Sequence, residues 1–526
     1  MSRKLWTLVV GFAALLGALV LFVCLQSASR RGERLPSEPP ERRRPTIAPP
    51  ASPDESATAV SRDAGYAGSQ ACVQCHADET ASFRQTGMGR SLGVVNEAVE
   101  PSDGEFNHAL SGRRFEVYRK NGALNHRETL ADPQHDVLAD LTATFVVGSG
   151  NHSKSYLMEV DGFLVESPIT WYTSAQAWGM SPGYDIARHA GFRREVPEKC
   201  LFCHAGRARA VDGSLHRIEF REHAIGCERC HGPGASHVRH QEAAVGRSND
   251  PADDVDATIV NPARLSRDLA EAICHQCHLT TTSYVPARGR ELEDFRPGLP
   301  LQNFRHYYRD RNPGSSMRVV GHVDQLMLSA CYLRSDTLSC LTCHNPHAFP
   351  EPAQRQQYYR DVCLKCHQQE SCRVPRDVLA ARSPTNDCVA CHMPSTATDI
   401  PHLAFTDHRI GLHDDAASDE PDEPPGLIEL TPLHDLSFLS PLDRERSLGL
   451  AYFALANRSA TKREFDEYTR RGSLLLTKVK EAGLEDGEVD AALAQAVWPH
   501  DRAGSMKHAS DALRAPSLSA ISRVNS

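Results

Sequence analysis

The sequence predicts a mainly α-helical and irregular domain with a small antiparallel β subdomain, an N-terminal membrane helix and a C-terminal α-helical repeat segment. Three observations lead to this prediction. The pentapeptide Cys-x-x-Cys-His occurs seven times between Cys72 and His392. Short runs rich in β-branched and aromatic residues are confined to about 105–172. Helical periodicity without any such pentapeptide starts near Leu427.

The N-terminus carries an apolar run of 21 residues at 5–25, with basic residues on both flanks. A helix needs about 20 apolar residues to span a bilayer. A cleaved signal peptide is the alternative, because small residues precede Arg30. We therefore predict that residues 1–29 are a signal anchor or a signal peptide, and we favour attachment to the membrane through residues 5–25.

Two segments of biased composition separate the remaining parts of the chain. Residues 30–62 are rich in proline and poor in apolar side chains, which favours an extended spacer. The acidic, proline-containing stretch 413–426 reads as a linker. The main domain is therefore predicted at 63–412 and a separate helical segment at 427–526.

The seven pentapeptides have the pattern by which c-type haem is attached to protein. The two thiols form thioether bonds to the haem, and the adjacent histidine becomes the proximal ligand of the iron. Zinc binding is the alternative, but zinc knuckles do not require a histidine directly after the second cysteine. The motifs therefore predict seven covalently bound c-type haems. The attachment cysteines are Cys72, Cys75, Cys200, Cys203, Cys227, Cys230, Cys274, Cys277, Cys340, Cys343, Cys363, Cys366, Cys388 and Cys391. The proximal ligands are His76, His204, His231, His278, His344, His367 and His392.

Strand-like runs follow the first motif, at about 105–172. The runs FEVYRK, ATFVVGSG, SYLMEV and FLVESPITWY are separated by turn signals such as Asn121-Gly122 and Asp161-Gly162. They predict an antiparallel sheet of three to five strands. Its expected role is to cover haem faces.

The last hundred residues show apolar positions at helical spacing. Leu448, Ala451 and Leu455 lie on one predicted helical face. The segment is similar to tetratricopeptide repeats, of which about two fit into 427–526. A simple helical cap on the preceding domain is the alternative.

The overall charge argues against a nucleic-acid partner. The chain has 58 Lys and Arg against 67 Asp and Glu, and no basic stripe carries interleaved aromatic residues. Aromatic residues make up only 6% of the chain. This low share fits a core that is built partly from porphyrin rings.

Residues 62–412 resemble the cytochrome c-554-like, doubled-CXXCH multihaem proteins that are fused to tetratricopeptide repeats. The resemblance rests on stretches such as YAGSQACVQCH, TGMGRS, VGSGNHSKSYL, CERCHGPGASH, CYLRSDTLSCLTCHNPH, DCVACHMP and AFTDHRI. It implies an exported, largely helical and irregular fold with closely stacked haems. Members of this group mostly carry electrons, and a few related proteins are redox enzymes acting on nitrogen or sulfur compounds.

The resemblance also suggests ligands for the far side of each iron. Similar proteins carry a histidine after the first motif where this chain has Met88, which predicts a His76/Met88 pair with a raised potential. A core methionine is the alternative. The other predicted distal ligands are His152, His237, His322, His347, His402 and His408, with His189 as the rival of His152.

Three cysteines, Cys24, Cys331 and Cys372, lie outside the motifs. Spare thiols in an oxidising compartment usually pair, which predicts a disulfide between Cys331 and Cys372. Two separate buried thiols are the alternative.

Three functional hypotheses follow. The first is an inner-membrane-anchored conduit, with its haem domain in the periplasm or another extracytoplasmic space, that passes electrons from a membrane donor to an exported acceptor protein. The second is a redox enzyme, similar to hydroxylamine oxidoreductase or to a reductase, in which one open haem acts on a small nitrogen or sulfur compound. The third is a scaffold whose C-terminal repeats bind a protein partner while the haems sense redox state. No catalytic side chain is predicted.

Overall fold

The computed structural model describes residues 65–515 with gaps at 133, 212, 215, 245–255, 313–320, 369–370, 384, 396–405 and 414–425, together with residue 518. The predicted membrane anchor at 5–25, the spacer at 30–62 and most of the linker lie outside the described residues. Within the described part of the chain, no helix combines the length and the apolar character that crossing a membrane requires.

The β region is larger than the sequence predicted, since it contains two sheets instead of one. The first sheet has six antiparallel strands, in the order β1-β6-β7-β8-β10 with β9 added to β8. The second has four, in the order β2-β3-β4-β5. The first ten strands are β1 (Leu92–Val94), β2 (Gly104–His108), β3 (Arg113–Lys120), β4 (Ala123–Leu130), β5 (Val137–Thr142), β6 (Phe145–Val147), β7 (Ser153–Val160), β8 (Phe163–Tyr172), β9 (Ala177–Met180) and β10 (Arg194–Glu195).

Two predicted turns form the tight hairpins of this region. Asn121 and Gly122 have φ values of 54° and 75°, and Asp161 and Gly162 have 53° and 82°. Two consecutive residues with positive φ match the twist of antiparallel strands, so these pairs join β3 to β4 and β7 to β8. The two sheets share one core, to which β3 contributes Phe115 and β7 contributes Tyr156.

The remaining strands form two small antiparallel sheets. One contains β11 and β12, and the other has the order β13-β14-β15. Their bounds are β11 (Arg207–Ala210), β12 (Ile218–Glu222), β13 (Ser283–Pro286), β14 (Arg305–Asp310) and β15 (Leu430–Pro432).

Helices in the motif-bearing region are short, and together with the strands they make a mixed helical and antiparallel β fold instead of the mainly α-helical one that the sequence predicted. They are α1 (Ala77–Phe83), α2 (Glu198–Leu201), α3 (Glu228–His231), α4 (Ala235–Ala244), α5 (Arg267–His278), α6 (His322–Leu326), α7 (Ala330–Arg334), α8 (Cys340–Cys343), α9 (Arg355–Leu364), α10 (Arg376–Arg382) and α11 (Cys388–His392). Single turns of 3₁₀ helix occur at Ser69–Cys72, Pro262–Arg264, Leu292–Asp294, Leu301–Asn303 and Pro352–Gln354.

The C-terminal segment is helical, as predicted. Its helices are α12 (Pro441–Ala456), α13 (Lys462–Glu481), α14 (Gly487–Val497) and α15 (Arg502–Arg514). Glycines allow α12 and α13 to approach closely, because a Cβ atom at Gly449 would lie 2.5 Å from the Leu476 side chain. The assignment of these helices to tetratricopeptide repeats stays a prediction.

The C-terminal helices are joined to the preceding part by a strand and by buried hydrogen bonds. Strand β15 pairs with β14, and Ser283 Oγ donates to the carbonyl of Ala451 at 2.8 Å. The buried ring of His306 is hydrogen-bonded to Ser447 Oγ at 2.7 Å. The described residues from 65 onward accordingly belong to one compact unit.

A buried ion pair stabilises the C-terminal helices. Arg446 on α12 binds Asp486 through two hydrogen bonds of 2.8 and 3.1 Å, and the two side chains are 3% and 0% exposed. Asp486 also accepts from the backbone N–H of Val489 and so caps α14.

We expect Arg446→Met to lower the free energy of unfolding by about 3–5 kcal/mol, because it leaves a buried carboxylate without its cation. Denaturant titration followed by circular dichroism would measure the loss. Lys462→Ala is the matched control, since Lys462 pairs with Asp466 while 85% exposed, and its expected cost is below about 1 kcal/mol. Equal losses in the two variants would show that burial does not govern the strength of these pairs.

Candidate haem-attachment sites

Each motif folds as one helical turn, and this places its cysteines and histidine on the same side. The backbone N–H of His76 donates to the carbonyl of Cys72 at 2.9 Å. Equivalent bonds of 3.0 Å join His231 to Cys227, and His344 to Cys340. Residues four apart are neighbours on a helix surface. The turn therefore presents both thiols and the imidazole to one cofactor.

Cysteines of different motifs contact each other in pairs. Close approaches of cysteine side chains join the first motif to the third, the second to the fourth, the fourth to the fifth and the sixth to the seventh. These pairs are Cys72–Cys227, Cys203–Cys277, Cys274–Cys340 and Cys363–Cys388. The neighbouring Cys72 side chain lowers the pKa of the Cys227 thiol.

Two further proximities complete the connections. Cys343 lies near Cys366, where helix α8 of the fifth motif contacts helix α9 at the start of the sixth motif. Cys230 and Cys277 pack against the same apolar cluster as Cys203, and Gln276 is hydrogen-bonded to the Arg229 carbonyl, which links the third motif to the fourth. The seven motifs therefore form one continuous series, in which the second motif lies beside the third and the fourth.

Four proximal histidines have a second imidazole opposite them. The centroid separations are 6.3 Å for His76 and His237, 5.9 Å for His231 and His347, 6.0 Å for His278 and His322, and 6.2 Å for His344 and His408. Metal–imidazole bonds of about 2 Å on both sides of one metal place the ring centroids about 6 Å apart. The observed spacings therefore fit pairs of axial ligands to a haem iron.

Hydrogen bonds orient several of these rings through Nδ1. Nδ1 of His231 donates to the carbonyl of Val260, and Nδ1 of His237 donates to Asp256, at 2.8 and 2.7 Å. His408 makes the same kind of bond to its neighbour Thr406, at 2.8 Å. A proton held on Nδ1 leaves the lone pair on Nε2 available to a metal.

Burial keeps several of the same rings neutral. It lowers the pKa of His322 to about 4 and lowers the pKa of His278, His344 and His408 as well. A neutral imidazole is the form that binds iron. These histidines are therefore in the ligating state at neutral pH.

A cavity of about 3610 Å³ runs past the second and the fourth to seventh motifs. Ordinary small-molecule pockets measure about 300–1,000 Å³, so this space is suited to several large cofactors. Helices α12 and α14 close part of it through Phe453 and Ala492. The residues present thus fit a set of c-type haems, whose role when bound would be to take up and release single electrons.

The other predicted ligands lie in three different places. Met88 lines the large cavity together with His152 and the second motif, while the ring opposite His76 is that of His237. His189 is buried in the β region beside Phe115. His402 lies outside the described residues.

The predicted disulfide is not formed, because Cys331 and Cys372 are both free thiols and Cys372 is exposed.

Two polar residues were missed by the sequence reasoning. His413 lies beside the last motif, with Nε2 3.2 Å from the carbonyl of His392. Arg229 occupies a variable position inside the third motif, where no sequence pattern distinguishes it from a surface residue.

Comparison with known families agrees with these sites. The family described as "Doubled CXXCH motif" matches residues 334–371, and the family "Cytochrome c554 and c-prime" matches residues 173–232. No curated protein matches the sequence. The solved structure titled "Crystal Structure of Outer Cell Wall Cytochrome OcwA" aligns with 86% of this chain and 98% of its own, at 14% identity and a TM-score of 0.41. Over these two segments the chain is similar to multihaem c-type cytochromes, in agreement with haem binding through its Cys-x-x-Cys-His motifs.

Proposed function

We propose that this cytochrome carries electrons along a row of seven haems, from a membrane donor to an extracytoplasmic acceptor, without converting a substrate of its own. The observation that carries the proposal is the unbroken series of contacts between motifs. It runs from the first motif through the third, fourth, fifth and sixth to the seventh. An electron can therefore enter near one end of the series and leave near the other.

The paired imidazoles support transfer rather than chemistry on a substrate. An iron with a histidine on each face has no position for a small molecule to occupy. We assign His237, His347, His322 and His408 as the distal ligands of the haems at His76, His231, His278 and His344, in that order. For the haem at His204 we keep His152, which lines the same cavity. His402 remains the proposed ligand for one of the last two haems.

The position of the protein in the cell is part of the proposal. Thioether attachment of haem takes place outside the cytoplasm, so the motif-bearing region must be exported. The apolar run at 5–25 is long enough to remain as an anchor. We propose that the protein stays in the inner membrane and that its haem domain faces the periplasm or an equivalent space. The C-terminal helices, which close the large cavity, then serve as a cap that leaves their outer face to a partner protein.

The proposal is tested with electron paramagnetic resonance and a turnover assay on the same preparation. Intact mass and a pyridine haemochrome titration must first give seven haems per chain. We expect low-spin signals from the six haems that have an assigned distal ligand, and no turnover when reduced viologen is offered with nitrite, hydroxylamine or tetrathionate. A high-spin signal that disappears with cyanide, together with turnover that cyanide abolishes, would instead establish a redox enzyme.

A further inference from the structure

The third motif places a positive charge where three motifs meet. Arg229 precedes Cys230, and its guanidinium carbon lies 4.3 Å above the ring of buried Phe202, the neighbour of Cys203. Gln276, the neighbour of Cys277, donates to the Arg229 carbonyl at 3.3 Å. The three cysteines belong to the second, third and fourth motifs and pack against one apolar cluster that includes Phe202.

The guanidinium is held in this place on several sides. One terminal nitrogen donates to the carbonyls of Ala205 and Gly206, at 3.2 and 2.8 Å. The Nε atom is buried and has no hydrogen-bond partner. Planarity and multiple donors let arginine stack and bind carbonyls at once, which lysine cannot do. The charge is therefore fixed in direction and distance from the motifs.

Among the residues that the structure describes, no carboxylate forms an ion pair with this guanidinium. Four glutamates line a cavity of about 70 Å³ beside Arg229, namely Glu198, Glu222, Glu228 and Glu293. The Glu228 carboxylate instead accepts from the backbone N–H groups of Ala67, Gly68 and Gly234 at 2.7–2.8 Å. A positive charge in such a partly buried place acts over a longer range than it would in water.

We propose that Arg229 is a positioning residue that raises the reduction potentials of the haems at the second, third and fourth motifs. Haems held by the cysteines of these three motifs would exchange single electrons with their neighbours, and the guanidinium would stabilise the negative charge that reduction adds, with no exchange of a proton or a ligand. The electron would then be held where the second, third and fourth motifs meet. This inference deepens the proposed function and rests on haem being bound at these three motifs.

The test is a potentiometric titration of the whole protein followed by visible absorption. Arg229→Gln and Arg229→Met both remove the charge, the first with a polar side chain and the second with an apolar one. Arg229→Lys retains the charge. In the neutral variants we expect up to three of the haems to titrate at lower potential while the others keep theirs. The lysine variant should restore most of the shift. Arg221→Gln is the matched control, because Arg221 is an exposed arginine paired with Glu219, and it should leave every potential unchanged.

An unchanged titration in a neutral variant with full haem content would overturn the inference, as would an equal shift in Arg221→Gln. If both neutral variants fail to load haem while the lysine variant loads it, a charge at this junction is required and the inference stands. Failure of all three variants would show a purely structural role and would overturn it. The potentials are measured without a redox partner, so this test does not depend on electron transfer to another protein. Potentials that shift as expected, in a protein that fails to transfer electrons, would contradict the proposed function and leave this inference intact.

Discussion

Replacing His237 by alanine should convert the first haem from a six-coordinate low-spin state to a high-spin state. The reason is the placement of the His237 ring 6.3 Å from that of His76, with its Nδ1 proton held by Asp256. Removal of this ring leaves one face of the iron without a protein ligand. Electron paramagnetic resonance should then show one new high-spin haem, with the haem count unchanged.

Met88→Ala is the control for this experiment, because Met88 is the ligand that the sequence predicted. It lines the large cavity near the second motif, so we expect the signal of the first haem to stay low-spin in this variant. A high-spin haem in Met88→Ala, with an unchanged spectrum in His237→Ala, would reverse the assignment of the ligand.

Removal of the fifth haem should interrupt transfer along the series. The fifth motif connects the first four to the last two, through Cys274–Cys340 on one side and Cys343–Cys366 on the other. We expect the change of both Cys340 and Cys343 to alanine to remove one haem and to slow end-to-end transfer by several orders of magnitude. The remaining haems should still be reducible by a small chemical reductant.

The exposed thiol of Cys372 offers a place to inject the electron. A photosensitiser attached there, with Cys331 changed to serine, would reduce the last haems within a flash. The experiment uses the His237→Ala variant, in which the first haem is expected to be high-spin. Arrival of the electron at the first haem is then followed through the high-spin absorption band of that haem. The matched control removes the second haem through alanine at Cys200 and Cys203, since the third and fourth motifs contact each other without the second. Equal slowing in both variants would contradict the proposed path.

Local sequence patterns predicted those parts of the fold that depend on neighbours in the chain. The hairpin at Asn121-Gly122 and the C-terminal helices are of this kind. Strand β1 is different, because its three residues pair with β6 more than fifty positions away. A run of three residues has no recognisable periodicity, and the sequence therefore predicted fewer strands than are present.

The same limit on prediction from sequence applies to the distal ligands of the candidate haem sites. The sequence identified His237 as a candidate ligand. It could not indicate that His237 lies beside His76, because the two residues are 161 positions apart in the chain. Met88 was predicted because it occupies the position at which similar proteins carry a histidine after the first motif. A tight turn follows α1, in which the Thr86 hydroxyl donates to the carbonyl of Phe83 at 2.7 Å and accepts from the N–H of Gly89 at 3.0 Å. This turn places Met88 at the cavity of the second motif, which no spacing rule indicates.

The pairing of β15 with β14 has a consequence for the modularity of the chain. Three residues from beyond the acidic stretch complete a sheet whose other strands belong to the motif-bearing region. Helix α12 packs on that sheet through Ala451 and Tyr452, both of which are buried in a common cluster with Val285. Because these contacts join the C-terminal helices to the motif-bearing part, we expect the two to unfold as one cooperative unit. The C-terminal helices are an integral wall of this fold and not a cassette that could be exchanged between proteins.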